Sequence, residues 1–120
     1  MSYDIRFGVK VEGMDYIAVI DQPEYDSPTY NLRDMFVACM DWDYEQGKWY
    51  ELIEVYPKIL HGLLELRRKP GKYKQYEPPN RWGTVESAKK VLDSITVRVE
   101  EIIIGDTWNM IPLEHLWIRW

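Results

Sequence analysis

Apolar and polar positions alternate over the first part of the chain. An apolar side chain recurs at every second residue, in the order Tyr3, Ile5, Phe7, Val9 and Val11. A period of two is typical of a half-buried β-strand. Residues 12–15 supply a turn and the β-rich run 16–20 follows, so the pattern predicts an antiparallel hairpin. Because an isolated hairpin is only marginally stable in water, we expect it to pack on an apolar surface.

The spacing of apolar residues changes to the helical period in the middle of the chain. A first helix is predicted to begin at Thr29 or Asn31, either of which can cap it, and to run to about Met40. Apolar positions between residues 49 and 66 predict a second helix. Pro57 interrupts this pattern, so the second helix either begins near Pro57 or has an earlier turn and a kink there.

A third helix is predicted between Thr84, a favourable N-cap residue, and Gly105, which suits the position after a helix. Its apolar residues recur at helical spacing, although the β-branched residues 95–104 also fit a strand. The aromatic segment 106–120 is short and is predicted to be helical from Pro112.

These elements predict an α+β fold, in which an N-terminal antiparallel β-hairpin packs on a bundle of three or four α-helices. At 120 residues the chain is predicted to be a single globular domain, residues 1–120, that can bury a core without disulfides. The predicted core contains Ile5, Phe7, Val9, Leu32, Phe36, Ile53, Ile59, Leu63, Val91, Leu92, Ile95 and Ile102.

The composition is that of a soluble globular protein, with 46% hydrophobic and 29% charged residues. The single cysteine, Cys39, cannot form an intramolecular disulfide, which favours a reducing compartment. Its position on the apolar side of the first helix predicts a core residue. We find neither a signal-peptide pattern nor an apolar run of about 18 residues. The sequence therefore predicts a cytoplasmic protein with no membrane partner.

Charge is distributed unevenly around a net value of −5. Residues 21–45 contain seven acids against one base, Arg33, whereas residues 66–81 contain six bases against one acid, Glu77. The two segments either steer a charged partner or face one another. Basic and aromatic residues interleave at 72–76, as in proteins that bind single strands, but the net acidity makes direct nucleic-acid binding unexpected.

No catalytic residue, metal site or cofactor is predicted from the motifs. Residues 41–47 (DWDYEQG) resemble a calcium loop, but Gln46 and Leu52 occupy the positions where an EF-hand needs glycine and glutamate. His61 and His115 are solitary, and neither has the spacing of a zinc site or of a nucleophile–base pair. His61 is predicted to be a partly buried structural residue of the second helix.

Residues 76–84 (YEPPNRWGT) lead into the third helix. Turn and cap chemistry accounts for the prolines, the asparagine, the glycine and the threonine without any ligand. Arg81 and Trp82 are not explained in this way. An arginine and an aromatic ring beside the free N–H groups of a helix start would suit an anion such as a phosphate or a carboxylate.

Four motifs together resemble a family of small uncharacterised proteins from phages and prophages of Firmicutes and related gut bacteria. They are SYDIRFGVKVEG at 2–13, TYNLRDM at 29–35, YPKILHGLLEL at 56–66, and P-x-KYKQYEPPN-x-WGT at 70–84. The similarity covers most of residues 2–95, and the chain departs from the family pattern at Arg81, where the family has glycine. The resemblance implies a small accessory protein in a bacterial host, of a kind that often binds host factors, including defence systems.

The first functional hypothesis is a non-catalytic inhibitor or adaptor of a phage or mobile element. It would bind a host protein, such as an effector of a defence system, by imitating the charge of nucleic acid. The excess of tryptophan and tyrosine fits such an interface, since these residues are common anchors of protein contacts. The predicted contact residues are Asp41, Trp42, Asp43 and Glu45.

The alternative hypothesis is a protein that binds or sequesters a small molecule, for instance a nucleotide signal. Two helix starts would converge on a phosphate while an aromatic ring stacks on the base. The competing explanation is that both motifs are only caps and that Arg33 pairs with a neighbouring acid such as Asp34 or Glu77. The predicted ligand-binding residues are Asn31, Arg33, Tyr76, Asn80, Arg81, Trp82 and Thr84.

Overall fold

The computed structural model describes residues 5–10, 13, 16–21, 32–78, 83–105 and 111–120. They form an α+β fold in which a four-stranded antiparallel sheet and four α-helices share an apolar core. The predicted fold class is therefore confirmed. Among the helices within these residues, none is both long enough and apolar enough to cross a membrane.

The predicted hairpin lies at one side of the sheet. Strand β1 (Arg6–Lys10) pairs antiparallel with β2 (Ile17–Asp21). On its other side β1 pairs with β4 (Leu116–Arg119), and β4 pairs in turn with β3 (Trp49–Glu51). The strand order is β2-β1-β4-β3, so β4, which follows the other three along the chain, lies inside the sheet.

The predicted helix from Pro112 is wrong. A short 3-10 turn at Leu113–His115 is followed directly by strand β4. Leu116 and Ile118 are fully buried, whereas Trp117 between them is half-buried. This alternation has the period of a strand, and hydrogen-bonding partners on both sides of β4 outweigh the helix-start preference of a proline.

Helix α1 (Arg33–Met40) ends where the sequence predicted. Its expected caps, Thr29 and Asn31, lie outside the described residues. The chain leaves α1 through Asp41, whose φ of 51° is in the left-handed region. An aspartate tolerates this conformation better than most residues, so the turn into the following segment does not need a glycine.

Helix α2 (Leu52–Arg68) begins before Pro57, so a start near Pro57 is wrong. Pro57 lies in the second turn, where it removes its own N–H bond while packing of the surrounding turns maintains the helix. Trp49, which fitted the helical pattern, belongs to β3. Strand β3 leads directly into α2 because Glu51 has an extended backbone, with φ −64° and ψ 123°.

Two residues of α2 were assigned to the wrong environment. Ile53, predicted in the core, has 45% of its surface exposed, and His61, predicted to be partly buried, is exposed. The buried side of α2 carries Leu52 and Ile59, and a residue beside such a position is rotated by about 100° around the helix. Ile53 therefore faces outward although it is as apolar as its neighbour.

Helix α3 (Pro70–Tyr73) and a 3-10 turn at Lys74–Tyr76 connect α2 to α4 (Val85–Ile104). The β-branched residues that also fitted a strand are helical. Thr84 caps α4, and Gly105 ends it with φ 88°, as predicted. This left-handed conformation favours glycine because it has no β-carbon.

The core lies between the sheet and the helices, and every predicted core residue except Val9 and Ile53 is buried. Val9 is partly buried and packs against the core. Gly62 marks the closest approach of α2 to its neighbours. A β-carbon there would lie 2.6 Å from Met40 Cγ of α1 and 3.3 Å from Leu92 Cδ1 of α4.

Candidate binding site

Five rings form an aromatic cluster where the end of α1 meets β3 and the residue after β4. Ring centroids are separated by 4.9 Å for Trp42 and Tyr50, 5.1 Å for Phe36 and Trp120, and 5.5 Å for Tyr44 and Trp120. The contacts are edge-to-face or tilted, which are favourable arrangements for ring quadrupoles. Tyr44 and Trp120 are almost fully buried. The cluster is therefore a packed base and not a loose surface patch.

The predicted contact segment lies on this base with its side chains pointing alternately inward and outward. Asp41, Asp43 and Glu45 are exposed, whereas Trp42 is half-buried and Tyr44 is buried in the cluster. We call the three exposed carboxylates the acidic ridge. The alternation separates their charges from the aromatic side chains that hold the backbone.

Backbone hydrogen bonds fix the same segment at several points. Trp42 N donates to Val37 O at 3.2 Å, and Gly47 N donates to Trp120 O at 2.8 Å. Glu45 N donates to the Tyr50 hydroxyl at 2.8 Å. These bonds and the ring contacts hold the backbone of residues 42–47 in place, so a partner would not have to order that backbone on binding.

Arg33 reaches from the start of α1 to the acidic ridge. Its Nη2 lies 3.0 Å from Asp43 Oδ1, and its guanidinium carbon lies 4.7 Å from the centroid of the Tyr44 ring. Arg33 therefore pairs with an acid, as the competing explanation predicted, although the partner is Asp43 rather than Asp34 or Glu77. Asp43 remains 87% exposed in this ion pair, so its outward side is open to a second cation.

Two buried donors next to Tyr44 have no hydrogen-bond acceptor among the protein atoms of the described residues. They are Nη1 of Arg33 and Nε1 of Trp120, and both side chains pack against the Tyr44 ring. A buried donor without an acceptor is unfavourable by about 1–3 kcal/mol. Buried donors of this kind are usually bonded to an ordered water.

Thr84, from the second set of predicted site residues, lies at the start of α4, where three backbone donors are already used. Ser87 N donates to Thr84 Oγ1 at 3.1 Å, and Thr84 N donates to Ser87 Oγ at 3.0 Å. Val85 N donates to Glu77 Oε2 at 2.9 Å. The chain's own oxygens therefore occupy positions that a phosphate would take.

The rest of that set is only partly described. Tyr76 is half-buried, and its ring lies 6.2 Å from that of Tyr73. Asn31, Asn80, Arg81 and Trp82 lie outside the described residues. A nucleotide site that joins Arg33 to these residues stays a prediction.

Three bases of the basic segment form ion pairs within the helical part of the fold. Arg67 Nη2 lies 2.8 Å from Asp93 Oδ1, and Lys69 Nζ and Lys72 Nζ lie 3.5 Å and 3.7 Å from Glu65 carboxylate oxygens. In the described ranges, none of the ion pairs joins this segment to residues 32–45. The acidic ridge is therefore not neutralised by the basic segment within these ranges.

Shifted pKa values occur in the helical part of the fold. Burial raises the pKa of the Cys39 thiol to about 12. The Tyr73 hydroxyl donates to Glu65 Oε1 at 3.0 Å, and this bond is the main cause that lowers the pKa of Glu65. Burial first and the Glu65 carboxylate second raise the pKa of Tyr73. This arrangement stabilises the end of α2 against α3.

The sequence indicated the acidic residues of the ridge but not the aromatic residues on which they lie. Tyr44, Tyr50 and Trp120 were not singled out, because nothing in the sequence shows that residue 120 reaches residues 42–50. The alternation of acid and aromatic residues from Asp41 to Glu45 was the available signal. Within the part of the chain that the structure describes, no group of three or more histidine, cysteine, aspartate or glutamate side chains could hold a metal ion.

Comparison with known proteins gives no match: no family model, no curated protein and no solved structure is similar to this chain. What the site binds is therefore inferred from its own geometry.

Proposed function

We propose that this chain is a non-catalytic accessory protein of a phage or mobile element that binds a host factor through the acidic ridge. The partner is a basic protein surface of the kind that binds nucleic acid, such as that of a defence effector. It would act in the cytoplasm of the bacterial host. The observation that carries this proposal is the set of exposed carboxylates on a backbone held by the aromatic cluster.

The charge of the ridge supports a basic partner. Asp41, Asp43 and Glu45 alternate with inward-facing rings, so three carboxylates occur within five residues on one side of the segment. Complementary charge raises the rate of encounter and selects partners more than it raises affinity alone. Asp43 is partly neutralised by Arg33, but an exposed ion pair contributes little and can be shared with an arginine of the partner.

The aromatic residues beside the acidic ridge favour a folded protein as the partner over a flexible polycation. Half-buried Trp42 lies between two carboxylates of the ridge. Tryptophan and tyrosine are common anchors of protein interfaces, where an apolar centre is surrounded by a polar rim. Because the segment is already ordered, little conformational entropy is lost on binding.

The test compares the wild type with the double variant Asp41→Lys and Asp43→Lys. Each immobilised protein is incubated with lysate of a bacterial host, and captured proteins are quantified by mass spectrometry. The control variant carries Glu100→Lys and Glu114→Lys, which change the net charge equally at exposed positions outside the ridge.

We expect a partner that the ridge variant captures at least about tenfold less and that the control variant retains. Capture should fall with added salt, because exposed charges are screened, and duplex DNA should compete for the partner. Capture that is unaffected by the ridge reversals or by salt would contradict the proposal.

Nucleotide binding is our second proposal, and it is supported by Arg33 at the start of α1 and by half-buried Tyr76, whose ring could stack on a base. Thermal unfolding is measured with a panel of mono-, di- and cyclic nucleotides, with Arg81→Ala as the comparison variant. A ligand at a hundred times its dissociation constant stabilises the fold by about 2.7 kcal/mol. The absence of a shift with every nucleotide, or an equal shift in both proteins, would exclude this site.

A further inference from the structure

Helices α2 and α4 expose large apolar side chains on their outer surface. Ile53, Leu60 and Leu64 of α2 are 45%, 36% and 45% exposed, and Val97 and Ile104 of α4 are 47% and 71% exposed. On each helix these residues recur at intervals of four or seven, which places them in one row. Apolar residues that cluster in this way on a surface indicate an interaction site.

The two rows lie side by side on the same face. The Arg67–Asp93 ion pair joins the end of α2 to the first half of α4, and Tyr56 interacts electrostatically with Glu100 near the other end. The helices therefore run antiparallel, and these contacts mark the seam between them. An α-helix turns by about 100° per residue. On each helix the seam residues are therefore rotated by about 20–60° around the helix axis from the centre of the apolar row.

When each helix is viewed from its own N-terminus, the seam residues are rotated around the helix axis in the same direction from the apolar row. Because the two helices are antiparallel, both apolar rows therefore lie on one side of the seam. At equal height along the two helix axes, Leu60 lies beside Val97 and Ile53 lies beside Ile104. We call the surface formed by these two rows the α2/α4 face.

A row of charge along the free edge of α2 identifies the occupant. Glu54, His61 and Arg68 are exposed and separated by seven residues each, so they form a line next to the apolar row on the side away from α4. The line is acidic at one end and basic at the other. When the line of a second copy is turned end over end, its basic end lies opposite the acidic end of the first.

We propose that the α2/α4 face binds the same face of a second copy of this chain, with the two α2 helices antiparallel. In this arrangement Glu54 of each copy lies opposite Arg68 of the second copy, and His61 lies at the two-fold axis. Leu60 of one copy packs against Leu64 of the other. A two-fold axis along the helices would instead place α2 of one copy against α4 of the other, and this charge pairing would be lost.

The size of the face sets the strength of the dimer. Helix α2 has 17 residues and is about 25 Å long, and two helices side by side are about 20 Å wide. The contact is therefore about 500 Å² for each copy, less than the roughly 800 Å² of a standard stable interface. We expect a reversible dimer with a dissociation constant in the micromolar range.

The test is sedimentation equilibrium of the full chain between about 1 µM and 500 µM. Wild type should shift from monomer to dimer in this range, and Leu60→Glu should remain monomeric. Val19→Glu is the matched control, because Val19 is 51% exposed on β2 and away from the face. A wild type that is monomeric throughout, or a dimer that survives Leu60→Glu, would overturn the proposal.

Charge exchange tests the orientation independently of folding. Glu54→Arg and Arg68→Glu should each weaken self-association about tenfold or more, because symmetry repeats every charge contact. A mixture of the two single variants should associate more tightly than either alone, since opposite charges then meet at both ends. Failure of the mixture to recover association would refute the antiparallel arrangement. The acidic ridge is intact in all these variants, so this result is separate from the proposed function.

Discussion

Gly62 allows a direct comparison of two opposing effects of one methyl group. Replacement of a glycine by alanine inside a helix stabilises the fold by up to about 1 kcal/mol, because the unfolded chain loses freedom. At position 62 the new β-carbon would lie 2.6 Å from Met40 Cγ, 3.2 Å from Cys39 Sγ and 3.3 Å from Leu92 Cδ1. All three neighbours are buried, so they cannot move into solvent.

Forcing extra volume into a packed core destabilises by about 1–3 kcal/mol. We therefore expect Gly62→Ala to lower the free energy of unfolding by about 1 kcal/mol, with a fall in Tm of about 4 °C. Overpacking outweighs the gain in helix propensity because the neighbours belong to two different helices, α1 and α4. If α1 or α4 moved away from α2, it would expose core residues that still pack against the other helix.

The measurement is urea unfolding followed by circular dichroism. Gly71→Ala is the matched control, since a β-carbon at position 71 of α3 would meet no atom within 4 Å. The control should be as stable as the wild type or slightly more stable. If Gly62→Ala unfolds at the same urea concentration as the wild type or at a higher one, the packing of α2 against α1 and α4 described above is incorrect.

Two further predictions concern buried groups. Tyr73→Phe removes the main cause that lowers the pKa of Glu65, so it should destabilise the fold at pH 7, and Tyr76→Phe should have a smaller effect. A carboxyl whose pKa is lowered in the folded state contributes its full stabilisation above its ordinary pKa of 4.5, and this stabilisation is lost as the pH falls through the pKa of the folded state. The urea midpoints of Tyr73→Phe and wild type should therefore converge in acid. Burial raises the pKa of Cys39 to about 12, so thiol reagents at pH 8 should label the native protein far more slowly than the urea-unfolded protein. Equal labelling rates in the two states would show that the thiol is accessible.

The sequence predicted those elements whose pattern is long and unambiguous. The alternation in β1 extends over several residues, and Thr84 and Gly105 mark both ends of α4. Strands β3 and β4 were missed because they have three and four residues, too few to establish a period of two. Their stability comes from pairing with distant strands, which local patterns do not contain.

The environment of α2 shows a second limit. Leu52 and Ile53 are equally apolar, and helical spacing alone cannot decide which row faces the core when both rows are apolar. The same holds for the candidate site. The acidic residues could be identified from composition, but the position of Arg33 beside Asp43 and of Trp120 beside Tyr44 depends on the packing of α1 and β4.

The place of β4 inside the sheet has a consequence for biosynthesis. During translation β1 and β3 emerge well before β4, the strand that pairs with both, so the two halves of the sheet cannot join until Leu116 to Arg119 have left the ribosome. Until then β1 and β3 each expose an unpaired edge, which is a template for pairing with other chains. Closure of the β1–β4 pair also brings together residues far apart in sequence, and such contacts form slowly. Nascent chains should therefore be most prone to aggregate, and most dependent on chaperones, just before β4 leaves the ribosome.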